Sequence, residues 1–292
     1  MKGIILIAGA GTRLYPLTKM VNKPLLPVYD KPMLYYPLST LMLFDIRDIL
    51  VICAPKDLEN LKQVFGTGSE LGLNMSFAVQ EKPKGIADAF LIGKDFIGDD
   101  DVCLILGDNI FYMGDNIETF RKEIAENKGA TVFGFHVNDP QRFGVVEFDK
   151  DFKALSLEEK PKQPKSDYAV VGLYFYKPDV VEKAQNLAPS ARGELEITDI
   201  NKKYLEEKRL NVVVMKRGNA WLDAGTPETL SDAAQFVEII EKRQGLKISC
   251  IEEIAFRRGF IDNRQMEKLI DQSPKGTEYR SYLQRVYDEY KQ

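Results

Sequence analysis

The chain has a single histidine, His136, and only three cysteines, Cys53, Cys103 and Cys250. A lone histidine argues against a histidine-based triad or a zinc centre, and at the end of an apolar run it reads as structural. An odd, dispersed set of cysteines excludes a disulfide framework and a zinc ribbon. Cys53 and Cys103 sit in apolar runs and read as small core residues, which fits a reducing compartment. Long hydrophobic runs are also missing. The longest uncharged stretch, Pro32 to Phe44, is interrupted by Pro37, Ser39 and Thr40 and falls short of the ~20 residues a spanning helix needs, so no membrane segment is expected. At the start, Lys2, the run Gly3 to Ile7 and Ala8-Gly9-Ala10 imitate an export signal. That run is shorter than the roughly 7–15 residues such a signal requires, so it reads as a first strand of a cytoplasmic protein. Glycine and proline (21 and 14 of 292 residues) show neither excess nor period, excluding collagen-like and low-complexity chains. Excess positive charge is absent as well. A net charge of −4 argues against duplex nucleic acid as a partner. What remains, 44% apolar and 29% charged, is ordinary for a globular chain and excludes disorder.

Short runs rich in Ile, Val and Leu recur at Ile4–Ile7, Ile49–Cys53, Phe77–Val79 and Val102–Leu106. They are continuous rather than alternating, as in strands covered on both faces. Helical stretches, Asp57–Phe65 and Ile86–Ile97, lie between them. This alternation predicts an α/β fold: a Rossmann-like, mostly parallel sheet flanked by helices. After Gly129 strands dominate: Thr131–His136, Val145–Phe148, Tyr168–Tyr176 and Val212–Met215, with helices near Pro178–Leu187 and Glu194–Lys208. This half reads as an insertion covering one end of the sheet. From Thr226 the chain turns helical. Thr226 can cap a helix begun by Pro227 and ended by Gly245. The expected division is 1–244 as one α/β unit (about 1–128, with the inserted half at about 129–225) and 245–292 as a helical C-terminal segment. The stripe Tyr279, Tyr282, Leu283, Val286, Tyr287 and Tyr290 either docks on the chain's own core or forms a subunit interface.

The strongest local signal is the first strand followed by Ala8-Gly9-Ala10-Gly11-Thr12-Arg13-Leu14. A glycine turn at a strand's carboxyl end lets backbone N–H groups approach phosphate. It is not a P-loop, which needs Gly-Lys-Ser/Thr, nor a dinucleotide fingerprint, whose third glycine is replaced by Leu14. A phosphate loop carrying its own cation, Arg13, remains, beside the plainer reading of a tight βα turn. Lys23, within Lys23-Pro24-Leu25-Leu26-Pro27-Val28, offers a second cation or a solvated lysine. Asp108 follows an apolar strand within Leu106-Gly107-Asp108-Asn109, where α/β sheets bind ligands, and suits a magnesium ligand or a turn. Asp223, in Trp221-Leu222-Asp223-Ala224-Gly225-Thr226, reads as a cap or as a second carboxylate for the same ion. Glu159 and Lys160 could meet a sugar and its phosphate, or form a solvated face together with Arg192 to Asp199. Asp99-Asp100-Asp101 reads as a solvated turn.

In this order the motifs, together with Phe143-Gly144-Val145-Val146-Glu147-Phe148, Glu158-Glu159-Lys160-Pro161 and Val171-Gly172-Leu173-Tyr174-Phe175-Tyr176, resemble the sugar-1-phosphate nucleotidyltransferases. Over almost the whole chain they are similar to the short-form glucose-1-phosphate thymidylyltransferases. The resemblance implies conversion of dTTP and α-D-glucose 1-phosphate into dTDP-glucose and pyrophosphate with Mg2+, feeding dTDP-sugar synthesis of the rhamnose type, in a homotetramer. It implies that Arg13, Lys23, Asp108, Lys160 and Asp223 are catalytic, with Asp108 and Asp223 on the metal. The nucleotide would meet Leu6, Gly9, Gly11, Thr12, Arg13, Lys23, Gln80, Gly85 and Asp108. The sugar phosphate would meet Asn109, Gly144, Glu159, Lys160 and Val170. It also implies an inhibitory site near Glu253 and Arg257. Ala8, Ala10, Pro24 and Phe143 stand where the family usually has Gly, Ser, Gln and Tyr. A Cβ is costly wherever φ is positive or phosphate comes close. The competing readings are a uridylyltransferase acting on the same sugar, a catalytically impaired sugar-nucleotide-binding regulator, and a glycosyltransferase using Asp99 and Asp101.

Overall fold

The computed structural model describes residues 1–9 and 11–290, Asp115 by its backbone alone. Strand β1 (Lys2–Ile7) leads to a small ribbon, β2 (Pro27–Val28) and β3 (Lys31–Pro32), and to helix α1 (Tyr35–Leu43). Then follow β4 (Asp48–Cys53), α2 (Leu58–Phe65), β5 (Asn74–Val79), α3 (Asp88–Ile92), α4 (Lys94–Ile97), β6 (Val102–Leu106), β7 (Asn109–Tyr112) and α5 (Ile117–Ala125). The second half adds β8 (Ala130–His136), β9 (Gly144–Phe148), β10 (Ala154–Glu159), β11 (Tyr168–Tyr176), α6 (Val180–Gln185), α7 (Ile197–Glu206), β12 (Leu210–Val214) and β13 (Ala220–Asp223). Helices α8 (Pro227–Gln244), α9 (Ile251–Arg257), α10 (Asn263–Gln272) and α11 (Glu278–Tyr290) complete the described chain.

Among the described residues nine strands form one sheet in the order β10-β9-β11-β6-β1-β4-β5, with β8 joining β11 to β12. Strands β6, β1, β4 and β5 run parallel. The inserted strands pair antiparallel around β11, which docks on β6. Adjacent side chains on one strand feed opposite cores. Ile4 and Ile52 pack on one face, Ile5 and Val51 on the other. Both faces are covered, which is why these strands read as unbroken apolar runs.

The expected strands are all present, with ends shifted by a few residues. The expected helix Ile86–Ile97 is two pieces divided at Gly93, where an added Cβ would press within 3.0 Å of Ala89 O and Ile4 Cδ1. The cap at Thr226 is a capping box with Thr229, and Gly245 ends α8 at φ 69°. Most of the C-terminal stripe docks on the chain itself, with Tyr282, Leu283, Val286 and Tyr287 buried in the same core as Phe256, while Tyr290 stays exposed beside the Phe256 ring. His136 lines neither of the cavities at the β1 and β6 ends, in keeping with a structural reading. Its ring stands exposed at the end of β8, edge-on to Tyr168 and 3.9 Å from Asp167. The apolar run ahead of it ends where the strand leaves the core. All three cysteines are buried and unpaired. Asp100 and Asp101 pair with Lys2 and Lys177, at the strand end opposite Asp108.

Lys31 belongs to the scaffold. Its Nζ, buried, lies 2.9 Å from the buried Glu241 Oε1 and also pairs with Asp30. Glu241 further accepts the Ile248 N–H at 2.8 Å and faces Lys247 at 3.3 Å. The network ties the β2–β3 ribbon to the end of α8. Removing one partner of a buried pair leaves an uncompensated charge. Lys31→Met is therefore expected to destabilise the chain by about 3 kcal/mol, read from urea unfolding.

Candidate active site

Two strand ends meet at the site. β1 stops at Ile7 and β6 at Leu106. The next residue, Gly107, lies so close to β1 that a Cβ there would fall 1.9 Å from Ile7 Cγ2. Glycine is thus required by packing, and it delivers Asp108 beside the loop after β1. That loop turns at Gly11, whose φ of 63° puts it in the left-handed region, and tightens over Thr12–Leu14. Ala10 lies outside the described residues. The described non-glycine residues at positive φ are Tyr29, Asp45, Phe152, Lys160, Lys208 and Ser249, so Ala8 carries no such strain. Lys23 opens a short turn fixed by Pro24, and its Nζ donates to Asp108 Oδ2 at 2.5 Å. Leu6, Gly9, Lys23, Pro24 and Asp108 help to line a cavity of about 180 Å³.

Asp223 arrives from far along the chain. β13 pairs antiparallel with β7, and the register sets Asp223 opposite Asn109. The Ala224 N–H donates to Asp108 O at 2.8 Å, locking the two turns together. Asp108 and Asp223 both line a second cavity of about 350 Å³, with Arg13, Asn109, Gly144, Glu159, Lys160 and Val170. Leu106 and Asp108 belong to both cavities. Asp108 therefore stands at the junction of two hollows, one between the β1 and β6 ends and one under the inserted half, and Asp223 lines the second.

Their electrostatics differ. Burial pushes the Asp108 carboxyl up, but the Lys23 ammonium and hydrogen bonds from Lys23 and Asn109 more than offset it, leaving Asp108 below the usual carboxylate range. Asp223 is held above that range, by burial first and by the Asp108 charge, against the pull of Arg142 and Arg13. Arg142 Nη2 lies 3.4 Å from Asp223 Oδ2. Among the described residues no group of three His, Cys, Asp or Glu could hold a metal. Two repelling carboxylates in one cavity fit a divalent cation, since hard cations take oxygen donors.

At the far side, Glu159 accepts the Thr198 hydroxyl at 2.6 Å and faces Arg192 at 3.4 Å and Lys160 at 3.7 Å. Lys160 itself takes a φ of 45° and donates its N–H to Phe143 O. Gln80 is buried, its amide donating to Asp88 Oδ2 at 2.8 Å and Gly85 O at 3.5 Å. A Cβ on Gly85 would fall 2.4 Å from Leu195 O. Glu253 and Arg257 lie apart on α9, bonded to each other at 2.8 Å, with Glu253 also accepting the Tyr282 hydroxyl. Sequence reasoning missed Arg142 and Thr198, which line the larger cavity. The only signal for Arg142 was a cation next to the Phe143-Gly144 motif.

A family model described as nucleotidyl transferase matches residues 2–239. The chain belongs to that family. The glucose-1-phosphate thymidylyltransferase of Neisseria meningitidis is 55% identical over 98% of this chain and 99% of its own length. That of Mycolicibacterium smegmatis is 56% identical over 91% and 92%. At this identity and coverage the chain is a nucleotidyltransferase of the glucose-1-phosphate thymidylyltransferase family. A Bacillus anthracis crystal structure assigned to that family, in complex with sucrose, superposes with a TM-score of 0.75 at 45% identity, covering 81% of this chain and 94% of that one. UDP-glucose pyrophosphorylase with bound UDP-glucose superposes at 0.71 with 24% identity, covering 83% and 99%, which speaks to the fold alone.

The two carboxylates carry opposite pH linkages. With Asp223 held above its unfolded value, its stabilising share is complete at low pH and is lost as pH rises through the folded pKa. With Asp108 held below, its share is present at neutral pH and lost as pH falls through the folded pKa. In metal-free buffer at pH 7, Asp223→Asn is expected to melt at or above the wild-type temperature. Asp108→Asn is expected to melt below it. Both differences should shrink below about pH 4, where carboxylates protonate. Calorimetry across that range checks the signs.

Proposed function

We propose that the chain transfers a deoxythymidylyl group from dTTP to α-D-glucose 1-phosphate, giving dTDP-glucose and pyrophosphate. The observation that carries this reading is the junction at Asp108. One cavity lies between the loop after β1 and Lys23, the other between Asp223 and Lys160, and Asp108 faces both. A triphosphate in the first and a sugar phosphate in the second would meet there. Relatives that are more than half identical bear the corresponding name.

The two substrates repel. Each unit-charge pair at 4 Å costs ~1 kcal/mol in water and ~4 at an effective dielectric of 20. Arg13 and Lys23 would neutralise the triphosphate, Arg13 by a two-pronged contact. Lys160 would orient the sugar phosphate, and Glu159 would accept sugar hydroxyls. Glycosyl phosphate is already anionic, so its oxygen needs no general base to attack the α-phosphorus in line as pyrophosphate leaves. The protein's task is positioning and electrostatic stabilisation. Asp108 and Asp223 would hold Mg2+. When bound, that ion supplies charge neutralisation and a fixed arrangement of phosphates.

The same reading divides the chain. The smaller cavity is lined from residues before 128, while the larger adds Arg142 to Thr198 from the inserted half. Residues 245–292 would serve packing and regulation. Arg257 borders a shallow hollow with Arg47, Arg258, Asp45 and Phe260, a setting that suits an inhibitory nucleotide sugar near Glu253 and Arg257. We also propose a homotetramer, whose contacts could use the exposed Ile239, Leu246 and Tyr290. Three buried free cysteines, together with the lack of any described helix long and apolar enough to cross a membrane, support a cytoplasmic location.

The test is a grid of four nucleoside triphosphates against several sugar 1-phosphates, read by pyrophosphate release. The expected optimum is dTTP with glucose 1-phosphate. UTP should follow by about 10–200-fold, the reach of one methyl group in an apolar pocket. Release of a nucleoside diphosphate from a nucleotide sugar, with no pyrophosphate from any pair, would overturn the proposal. Asp108→Asn and Arg13→Met should each lower kcat at least about 100-fold while the fold is kept.

A further inference from the structure

Trp221 is the chain's one tryptophan, and the mechanism above gives it no part. It stands on β13 two residues before Asp223, so strand period places both side chains on one face of the β7–β13 ribbon. The register sets Asp223 opposite Asn109, and the Trp221 Nε1–H reaches diagonally to donate to Asn109 Oδ1 at 2.6 Å. The same oxygen accepts the Gly172 N–H at 3.1 Å. Gly172 lies where the pairing of β11 with β8 is interrupted, between Val170 and Tyr174. A Cβ on Gly172 would fall 2.6 Å from that oxygen, so only glycine admits the amide. Asn109 is 4% exposed and thus has no water to turn to. With two donors on Oδ1, the reverse amide orientation would set NH2 against N–H groups. The NH2 must then face Asp108, and it donates to Asp108 Oδ1 at 2.9 Å. Asp108 Oδ2 is left toward Lys23.

We infer that Trp221 is a positioning residue for the transfer: its indole N–H orients the Asn109 amide, which holds the Asp108 carboxylate in the rotamer that binds magnesium and triphosphate. The inference rests on the proposed function and deepens it. Asn109 becomes a strut behind Asp108 as well as a wall of the sugar-phosphate cavity. The Trp-x-Asp spacing becomes one device, in which Asp223 would help to hold the ion and Trp221 steadies Asp108 through Asn109.

Trp221→Phe isolates the N–H, because the ring contacts with Phe143 and Phe135, at 5.1 and 6.1 Å between centroids, can persist. Loss of a partner behind a metal ligand typically costs about 10–100-fold in metal affinity or activity. Trp221→Phe should lower kcat and raise the Mg2+ concentration for half-maximal turnover within that range, with KM for glucose 1-phosphate changed less than about twofold. Gly172→Ala displaces the Asn109 amide yet keeps the tryptophan. Its emission, titrated with MgCl2 in the presence of dTTP and without the sugar phosphate, should shift half-saturation upward about tenfold relative to the unmodified protein. Wild-type kcat and Mg2+ half-saturation in Trp221→Phe would overturn the inference. So would a raised sugar-phosphate KM at unchanged kcat, which would make Trp221 a substrate contact. If the unmodified protein released no pyrophosphate, the proposed function would fail. The emission titration would then still decide whether the Asn109 amide governs the hold of Asp108 on the ion, and an unshifted half-saturation in Gly172→Ala would overturn the inference.

Discussion

Two carboxylates separated by more than a hundred residues of chain are held against their mutual repulsion in one cavity, and the site depends on that juxtaposition. It is enforced by a backbone ladder. β13 lies on β7 in a register that brings Asp223 opposite Asn109, and the Ala224 N–H closes on Asp108 O. A slip of one residue would turn Asp223 to the other face of the ribbon. Part of the remaining strain is answered by charge: Lys23 sits on Asp108, and Arg142 and Arg13 on Asp223. Asp223 nevertheless stays harder to ionise than an ordinary carboxyl. That character suits the proposed role, in which a divalent cation would add positive charge beside it.

Lysines of similar sequence context do different work. Lys23 and Lys31 both precede proline, eight residues apart. Lys23 points to Asp108 at the cavity, while Lys31 is sealed against Glu241 and Asp30 under the C-terminal helices. The difference comes from the β2–β3 ribbon, which reverses the chain between them. The inserted half shows a comparable split. Glu159 turns to Thr198 and Arg192 at the cavity, whereas Lys165, a few residues on, binds Glu147 and Glu158 on the outer face of the sheet.

The parallel strands, the glycine turn, the cap of α8 and the acid that follows β6 are local patterns, and each was legible from residue order. Continuous apolar runs announced strands covered on both faces. Thr226-Pro227 and Gly245 announced where α8 begins and ends. The ribbon β7–β13 was not legible, because four-residue strands joined across a hundred residues leave no period to read. Arg142 was missed for a related reason, since a cation in a short turn resembles a solvated one until the larger cavity closes around it. The exposure of His136 was not legible either, because an apolar run says nothing of where the strand leaves the core.

By itself, then, the order of residues determined the α/β class, the strands of the sheet, the loop chemistry after β1 and the family resemblance. These rest on near-neighbour sterics and on burial patterns with short periods. Only the tertiary structure decided that Asp108 and Asp223 share a cavity, that Lys31 is scaffold rather than site, and that the C-terminal stripe packs on its own chain. It alone set the Trp221 indole on the Asn109 amide. Those outcomes depend on strand register and on which surfaces close over which, and such long-range geometry has no signature within a window of sequence.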